Sequence, residues 1–347
     1  MPRTITYLQA LQEAIDQEMA RDPRVFVMGQ GVDDHRGMYG TTLGLAERYG
    51  AERCFDTPLS EEGMTGVAIG AAMAGMRPIH THIRMDFVLL AMNQIVNMAA
   101  KARYMYGGGA SVPLVIRCVV GRSWGQGAQH SQALHSMFMH VPGLRVIAPT
   151  TPYDAKGCLT AAIRSDDPVI FMEHRLLHFQ KGDVPAEAYE LPLGKARVLA
   201  EGTDLTLVGI SHGVVECLRA RDALAKVGIS ARVIDPVTLS PLDIETITQS
   251  VAETGRLLVV DTGWLCCGAS AEIVAGVSER LSDRMSLRLK RLGFAPTPCP
   301  TSKPLEEQFY PTASQIARSA YTLVTGERTW QPERIDSPEV LEFKGPF

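Results

Sequence analysis

The chain has 347 residues, of which 46% are hydrophobic and 21% charged, with a net charge of -4. That length suits two domains of ordinary size, and the acidic balance excludes the basic surface that nucleic-acid binding requires. No uninterrupted apolar stretch approaches the ~20 residues that span a bilayer. The first segment, MPRTITYLQALQEAIDQEMARDPR, carries polar residues through its apolar pattern. It reads as an amphipathic helix rather than a signal or transit peptide, which makes the cytoplasm the expected compartment. Seven cysteines (Cys54, Cys118, Cys158, Cys217, Cys266, Cys267 and Cys299) are scattered without a CxxC pair. They read as reduced, mostly buried thiols rather than a zinc ribbon or redox motif.

Along the chain, apolar β-branched runs at 24–29, 112–120, 144–149 and 167–174 alternate with helix-like stretches at 65–76 and 93–106. Alternation of this kind predicts a parallel sheet covered on both faces. A polar stretch at 180–194 (QKGDVPAEAYELPLG) reads as a linker. The alternation then resumes, with strands at 204–210, 229–236, 256–261 and 285–293 and helices near 214–227, 241–254 and 268–281. The expected fold class is therefore α/β with two parallel-sheet domains, over 1–190 and 191–326. Residues 327–347 form an irregular tail expected to pack on a neighbour.

Several motifs invite chemistry. Gly29-Gln30-Gly31 follows a strand as a dinucleotide fingerprint would, but Asp34 stands where the third glycine belongs, so a turn is the better reading. Gly121-Arg122-Ser123-Trp124-Gly125 matches the nucleophile elbow, which makes a serine hydrolase using Ser123 the unrelated alternative. An elbow feeds directly into a helix, whereas Gly125 and Gly127 favour an extended loop. The pairs His80/His82 and His174/His178 have metal-ligand spacing but no evident third ligand, so ordinary histidines are expected. Asp56-Thr57-Pro58-Leu59-Ser60-Glu61-Glu62-Gly63 ends a short strand and enters a glycine- and alanine-rich helix, where two carboxylates complement the helix dipole.

Taken in order, the segments 56–79, Asp86-Phe87, 93–101, AQHSQ (128–132), 142–149, 154–157, 162–174 and 192–196 resemble the beta subunits of thiamine diphosphate-dependent 2-oxo acid dehydrogenases, the pyruvate, branched-chain and acetoin family. The resemblance covers about residues 4–325. It implies a pyrimidine-binding domain followed by a transketolase C-terminal-like domain. It also implies that Glu61 hydrogen-bonds a pyrimidine nitrogen of thiamine diphosphate, sharing a proton so that the imino tautomer can deprotonate the thiazolium carbon. Phe87 matches the ring that stacks on the aminopyrimidine. His130 matches the histidine that faces substrate and acyl acceptor and assists transfer. No GDG motif occurs in the chain, so the diphosphate and its magnesium are expected to be held mainly by a separate alpha subunit, in a heterotetramer of two alpha and two beta subunits. A lipoyl acyltransferase is a further implied partner, and Asp166 in AIRSDDP matches the region of a structural potassium.

The departures from the family bear on the substrate. Gln30 replaces an acid expected near the cofactor and cannot ionise. His82 and Arg84 occupy a segment that is mostly apolar in the family, and Arg122 with Trp124 alters the loop before His130. These four are substrate-pocket candidates and favour a polar or acidic acyl group. The expected activity is decarboxylation of a 2-oxo acid with transfer of the acyl fragment to a lipoyl or other acceptor. Half of a split transketolase, or of a two-component carboligase, is the nearest alternative.

Overall fold

A computed structural model describes residues 3–122 and 125–342. The chain forms two compact units, Met1–Gly121 with Met137–Leu193, and Arg122–Ser136 with Gly194–Gly345.

The first unit begins with β1 (Arg3–Thr6) and α1 (Tyr7–Arg21). Thr6 starts the helix by a reciprocal cap with Gln9, which satisfies backbone donors that have no intrahelical partner. Tyr7, Leu8, Leu11, Ala14, Ile15 and Met19 then fall on one buried stripe, as a 3.6-residue period requires. There follow β2 (Val25–Gly29), β3 (Cys54–Asp56), α2 (Glu61–Met73), β4 (Arg77–His82), α3 (Ala100–Met105), β5 (Val115–Val120), β6 (Arg145–Ile147), α4 (Pro152–Arg164), β7 (Val169–His174) and β8 (Lys181–Val184). The helical pattern expected over 93–106 is realised as a π-helical stretch, Gln94–Ala99, running into α3. In the order β6-β7-β5-β4-β2-β3 the strands pair in parallel. Apart from the polar β4, their mostly apolar runs match a sheet covered on both faces. The polar stretch expected to be a linker instead contributes β8, which pairs antiparallel with β1.

The carboxyl ends of β2, β3 and β4 share one edge of this sheet, where open α/β folds bind ligands. Gly29 makes the close approach there possible. A Cβ on it would lie 2.2 Å from the Thr81 carbonyl oxygen, so no other residue fits.

The second unit contains β9 (Arg197–Ala200), β10 (Leu205–Gly209), α5 (His212–Ala225), β11 (Ala231–Asp235), β12 (Thr238–Ser240), α6 (Ile244–Thr254), β13 (Arg256–Trp264), α7 (Ala269–Leu281), β14 (Arg288–Phe294) and α8 (Ala313–Thr325). Its sheet runs β14-β13-β10-β11-β9, parallel except for β9 at the edge. Leu205, Leu207, Val214, Val233, Leu258, Val260 and Ile316 fill one core cluster. Each such side chain contributes roughly 1.5–3 kcal/mol when fully buried. The tail packs on this unit itself. Trp330 stacks on Tyr321 with ring centres 4.6 Å apart, and Trp330 and Ile335 lie against the same cluster.

Candidate functional site

The loop after β2 is tied to the start of α2 through main-chain and carboxylate bonds. Thr57 N donates to the Gly29 carbonyl at 3.0 Å, and Gly31 N donates to Asp56 Oδ1 at 2.7 Å. These bonds bring Gln30 over the first turn of α2, where its Nε2 donates to Glu61 Oε1 at 3.0 Å. The helix N-terminus favours both adjacent acids, but they diverge. Glu61 is half-buried against Gln30, whereas the exposed Glu62 accepts from Gln94 Nε2 at 2.9 Å. Of the two, Glu61 is the half-buried acid tied to the loop after β2, and the donor on it is neutral.

Phe87 is half-buried in the helical turn Met85–Val88 that follows β4. Before it, His80 and His82 share one face of β4, with ring centres 4.3 Å apart in an edge contact. Burial pushes His80 down to about 4, against a weaker upward pull from the Met28 backbone and the Glu61 charge. Burial, and then His80 itself, holds His82 well below the ordinary histidine range. The sequence departure at His82 therefore supplies a buried neutral imidazole rather than a cation.

Arg84 is also buried, and its charge reaches inward to His178. His178 is pushed down to about 3 by burial, and further by Arg117 and Arg84. It lies 4.0 Å from Glu173, which accepts two bonds from the Arg117 guanidinium at 2.6 and 2.9 Å. Arg84 thus belongs to a charged cluster in the interior of the first unit, a role its position in the sequence does not suggest.

In the second unit, His130 is half-buried in the loop that precedes the helix His135–Met139, and its backbone N–H bonds the Gly127 carbonyl. Gly125 and Gly127 adopt φ of 67° and 66°, and a Cβ on either would collide with Thr301. No helix follows Gly125 directly, whereas a nucleophile elbow requires one. Ser123 and Trp124 lie outside the described residues. The Arg122 guanidinium sits 4.5 Å above the Tyr310 ring, a cation–π contact that engages the charge locally. A pair not foreseen from the sequence holds the other end of the loop: His135 Nε2 meets Asp261 Oδ1 at 2.9 Å, both buried. Burial pushes Asp261 up, but His135 and the Ser270 backbone bond hold it below its ordinary value. With 126 positions between them, no local spacing signals this pair.

Asp166 accepts from Arg77 Nη2 at 2.6 Å, and Arg77 Nη1 also donates to the carbonyls of Ile163 and Ser165. The Arg77 guanidinium therefore already neutralises one oxygen of the carboxylate on which a potassium here would depend. Among the described residues, His212, Glu216 and Glu339 converge as potential metal ligands, but Arg219 donates to both glutamates. The cluster is an ion-pair network with its cation already in place.

The chain matches two family models, the transketolase pyrimidine-binding domain over residues 3–180 and the transketolase C-terminal domain over 194–316. It is 44% identical to the beta subunit of acetoin:2,6-dichlorophenolindophenol oxidoreductase of Cupriavidus necator, over 94% of this chain and 99% of that one. It is 42% identical to the mitochondrial pyruvate dehydrogenase E1 component subunit beta-1 of Arabidopsis thaliana, over 92% of this chain and 89% of that one. A solved structure of a split-gene transketolase in an inactive tetrameric form shares the fold, with a TM-score of 0.72 at 21% identity, covering 92% of this chain and 98% of that one.

Proposed function

Because this chain belongs to the family of 2-oxo acid dehydrogenase E1 beta subunits, built from transketolase pyrimidine-binding and C-terminal domains, we propose that it activates thiamine diphosphate for decarboxylation of a 2-oxo acid in an active site completed by an alpha subunit. The observation that carries the reading is Glu61, an acid on the first turn of α2 at the strand-end edge, with Gln30 bonded to one oxygen and the other left to accept or share a proton. When bound, the cofactor supplies a carbon nucleophile and an electron sink for decarboxylation. Glu61 holds the proton at the pyrimidine nitrogen. Gln30 fixes the carboxylate rotamer without adding charge, and Phe87 offers a half-buried ring for stacking. His130 donates to or accepts from the substrate and the acyl acceptor.

The chain carries no GDG motif, so magnesium and diphosphate are assigned to the alpha subunit. Support for a partner comes from the exposed apolar side chains of α2 and the segments that pack beside it, among them Val67, Leu90 and Met98. A surface of this kind marks a protein interface. Among the described residues no helix is long and apolar enough to cross a membrane. The cytoplasm is the compartment we assign.

The test is Glu61→Gln in the chain co-purified with its partner subunit, assayed against a panel of 2-oxo acids with an artificial electron acceptor and, in parallel, with aldehyde acceptors. Assembly is expected to survive while turnover falls by about 10²–10⁴-fold, the contribution of a positioned proton-transfer group. Near-normal turnover at saturating cofactor removes Glu61 from the mechanism. Turnover with aldehydes alone moves the protein to the carboligases.

A further inference from the structure

Five of the seven cysteines are buried, whereas Cys266 and Cys267 are adjacent in sequence and both exposed. They are the central residues of the turn Leu265–Gly268 that joins β13 to α7, closed by Gly268 N on the Leu265 carbonyl at 3.4 Å. Cys267 adopts φ 53°, a left-handed conformation that costs a residue with a Cβ on the order of 1 kcal/mol and that glycine would adopt freely. Both ends of the turn are fixed. Arg291 Nη1 donates to the Leu265 carbonyl at 2.7 Å, Trp264 Nε1 donates to the Thr297 carbonyl at 3.0 Å, and a Cβ on Gly268 would lie 2.1 Å from the Trp264 carbonyl oxygen.

What the turn is fixed to matters as much as its thiols. Gly263, next to Trp264, lies directly under the loop that carries His130: a Cβ there would meet His135 Cε1 at 3.1 Å and the Ala133 carbonyl oxygen at 3.4 Å. The base of the same strand holds Asp261, which binds both His135 and the first turn of α7 through Ser270 N. A change of backbone angle at Cys267 has little room to dissipate within the turn, and Trp264, Gly263 and the 125–136 loop are the packed neighbours that must adjust.

We propose that Cys266 and Cys267 form a thiol-oxidation site whose closure displaces the His130 loop. A hydroperoxide oxidises one thiol to a sulfenic acid, the peroxide becoming an alcohol or water. The neighbouring thiol then attacks that sulfur, expelling water and closing a disulfide between adjacent residues. Two thiol hydrogens leave, the peroxide O–O bond is the one broken and reduced, and a dithiol reductant reverses the change. Four of the buried cysteines do not compete: burial pushes the thiols of Cys54, Cys118, Cys217 and Cys299 up, which suppresses the reactive thiolate.

The effect on turnover rests on the role given to His130 above, so the test separates the two. The chain co-purified with its partner subunit is titrated with Ellman's reagent without denaturant, then treated with one equivalent of hydrogen peroxide. The two exposed thiols are expected to react fast and the five buried ones slowly. After peroxide the fast pair disappears, the chain mass falls by about 2 Da, and dithiothreitol restores both. In a Trp124→Phe, Trp330→Phe background the Trp264 emission shifts on oxidation, and in the assembly with all its tryptophans turnover drops by about tenfold, the scale of a small displacement at a transfer group. The Cys266→Ser, Cys267→Ser variant keeps its emission and its turnover under the same treatment. The proposal is overturned if the fast thiols persist in the assembly, if the mass rises by oxygen atoms instead of falling, or if the disulfide forms with emission and turnover unchanged. A His130→Ala variant with normal turnover removes the His130 role alone, since disulfide formation and the Trp264 shift do not depend on it.

Discussion

The two sheets of this chain have the same parallel architecture and different interiors. In the second unit the cluster from Leu205 to Ala320 is apolar throughout, and the buried Thr206, Ser250 and Thr254 hydroxyls satisfy one another. In the first unit the sheet interior holds Arg117 and Glu173 as a fully buried ion pair with His178 and Arg84 beside it, and His80 and His82 are buried on the other face of β4. The second unit keeps its buried ionisable groups, the His135–Asp261 pair among them, outside this apolar cluster. Buried charge is weak evidence for stability, because its desolvation offsets most of the attraction. The charges of the first unit therefore make more sense as fixing the geometry of β4, β5 and β7 near the edge where Glu61 and Phe87 lie.

The largest effect expected from that contrast comes from Arg117→Met, which leaves Glu173 buried without its guanidinium. The cost is about 3–5 kcal/mol. Hydrogen exchange read strand by strand checks it: amides of β5 and β7 lose protection while those of β10 and β13 keep theirs. Replacing both partners, Arg117→Met with Glu173→Leu, removes the orphaned charge and restores most of the protection. If the single variant loosens both sheets equally, the two interiors are not independent.

Acid should separate the sheets in the same direction. Folded His80 resists protonation down to about 4, whereas the unfolded chain takes up that proton at the ordinary 6.5. Its contribution is therefore complete above 6.5 and is lost as pH falls toward 4, amounting to roughly 3 kcal/mol over that window. His178, pushed down to about 3, acts in the same sense, and so does His82. In the second unit the groups shifted in the acid range are carboxylates, Asp243, Asp261 and Glu339, all held below their ordinary values of 3.8 or 4.5. Their stabilising effect persists until lower pH. Exchange protection in β4 and β5 should fall between roughly pH 6.5 and 4 while β10 and β13 hold. In His80→Leu the first-unit decline should become shallower.

Much of this was legible in the sequence because it depends on local periodicity. The strands at 24–29, 112–120 and 204–210 and the helix at 241–254 are apolar patterns of the expected period, and each formed. Gln30 was recognisable as a neutral substitute for an acid, but its bond to Glu61 was not, because Asp56 and the Gly29 carbonyl place it there through bonds 25 and 28 positions apart. The polar composition of 180–194 suggests a linker and hides a strand whose partner is β1, at the far end of the sequence. His82 and Arg84 were read as polar groups for a substrate. A single sequence gives residue type but not burial, and burial turned one into a neutral core imidazole and the other into a member of an interior charge cluster. The tail was expected on a neighbour because it has no period, yet one tryptophan and one glutamate suffice to seat it at home.

The smallest effect concerns that tail. Glu339 accepts two bonds from Arg219, at 2.7 and 2.6 Å, and meets His212 Nε2 at 2.7 Å, while Ser337 Oγ donates to Glu216. Deleting everything after Gly326 removes these contacts and the Trp330–Tyr321 stack. It does not orphan Arg219, whose Nη1 still donates to Glu216 at 2.7 Å, and Glu216 retains its bond from Ala313 N. The loss is therefore that of partly exposed contacts with no charge stranded, about 1–2 kcal/mol. Thermal unfolding of the truncated chain should shift by a few degrees, with exchange protection falling at α5 and α8 and unchanged at β4 and β5. A loss of protection in the first unit instead would mean that the tail supports the Glu61 edge, and the contrast between the two interiors would have to be redrawn with the tail as part of the polar one.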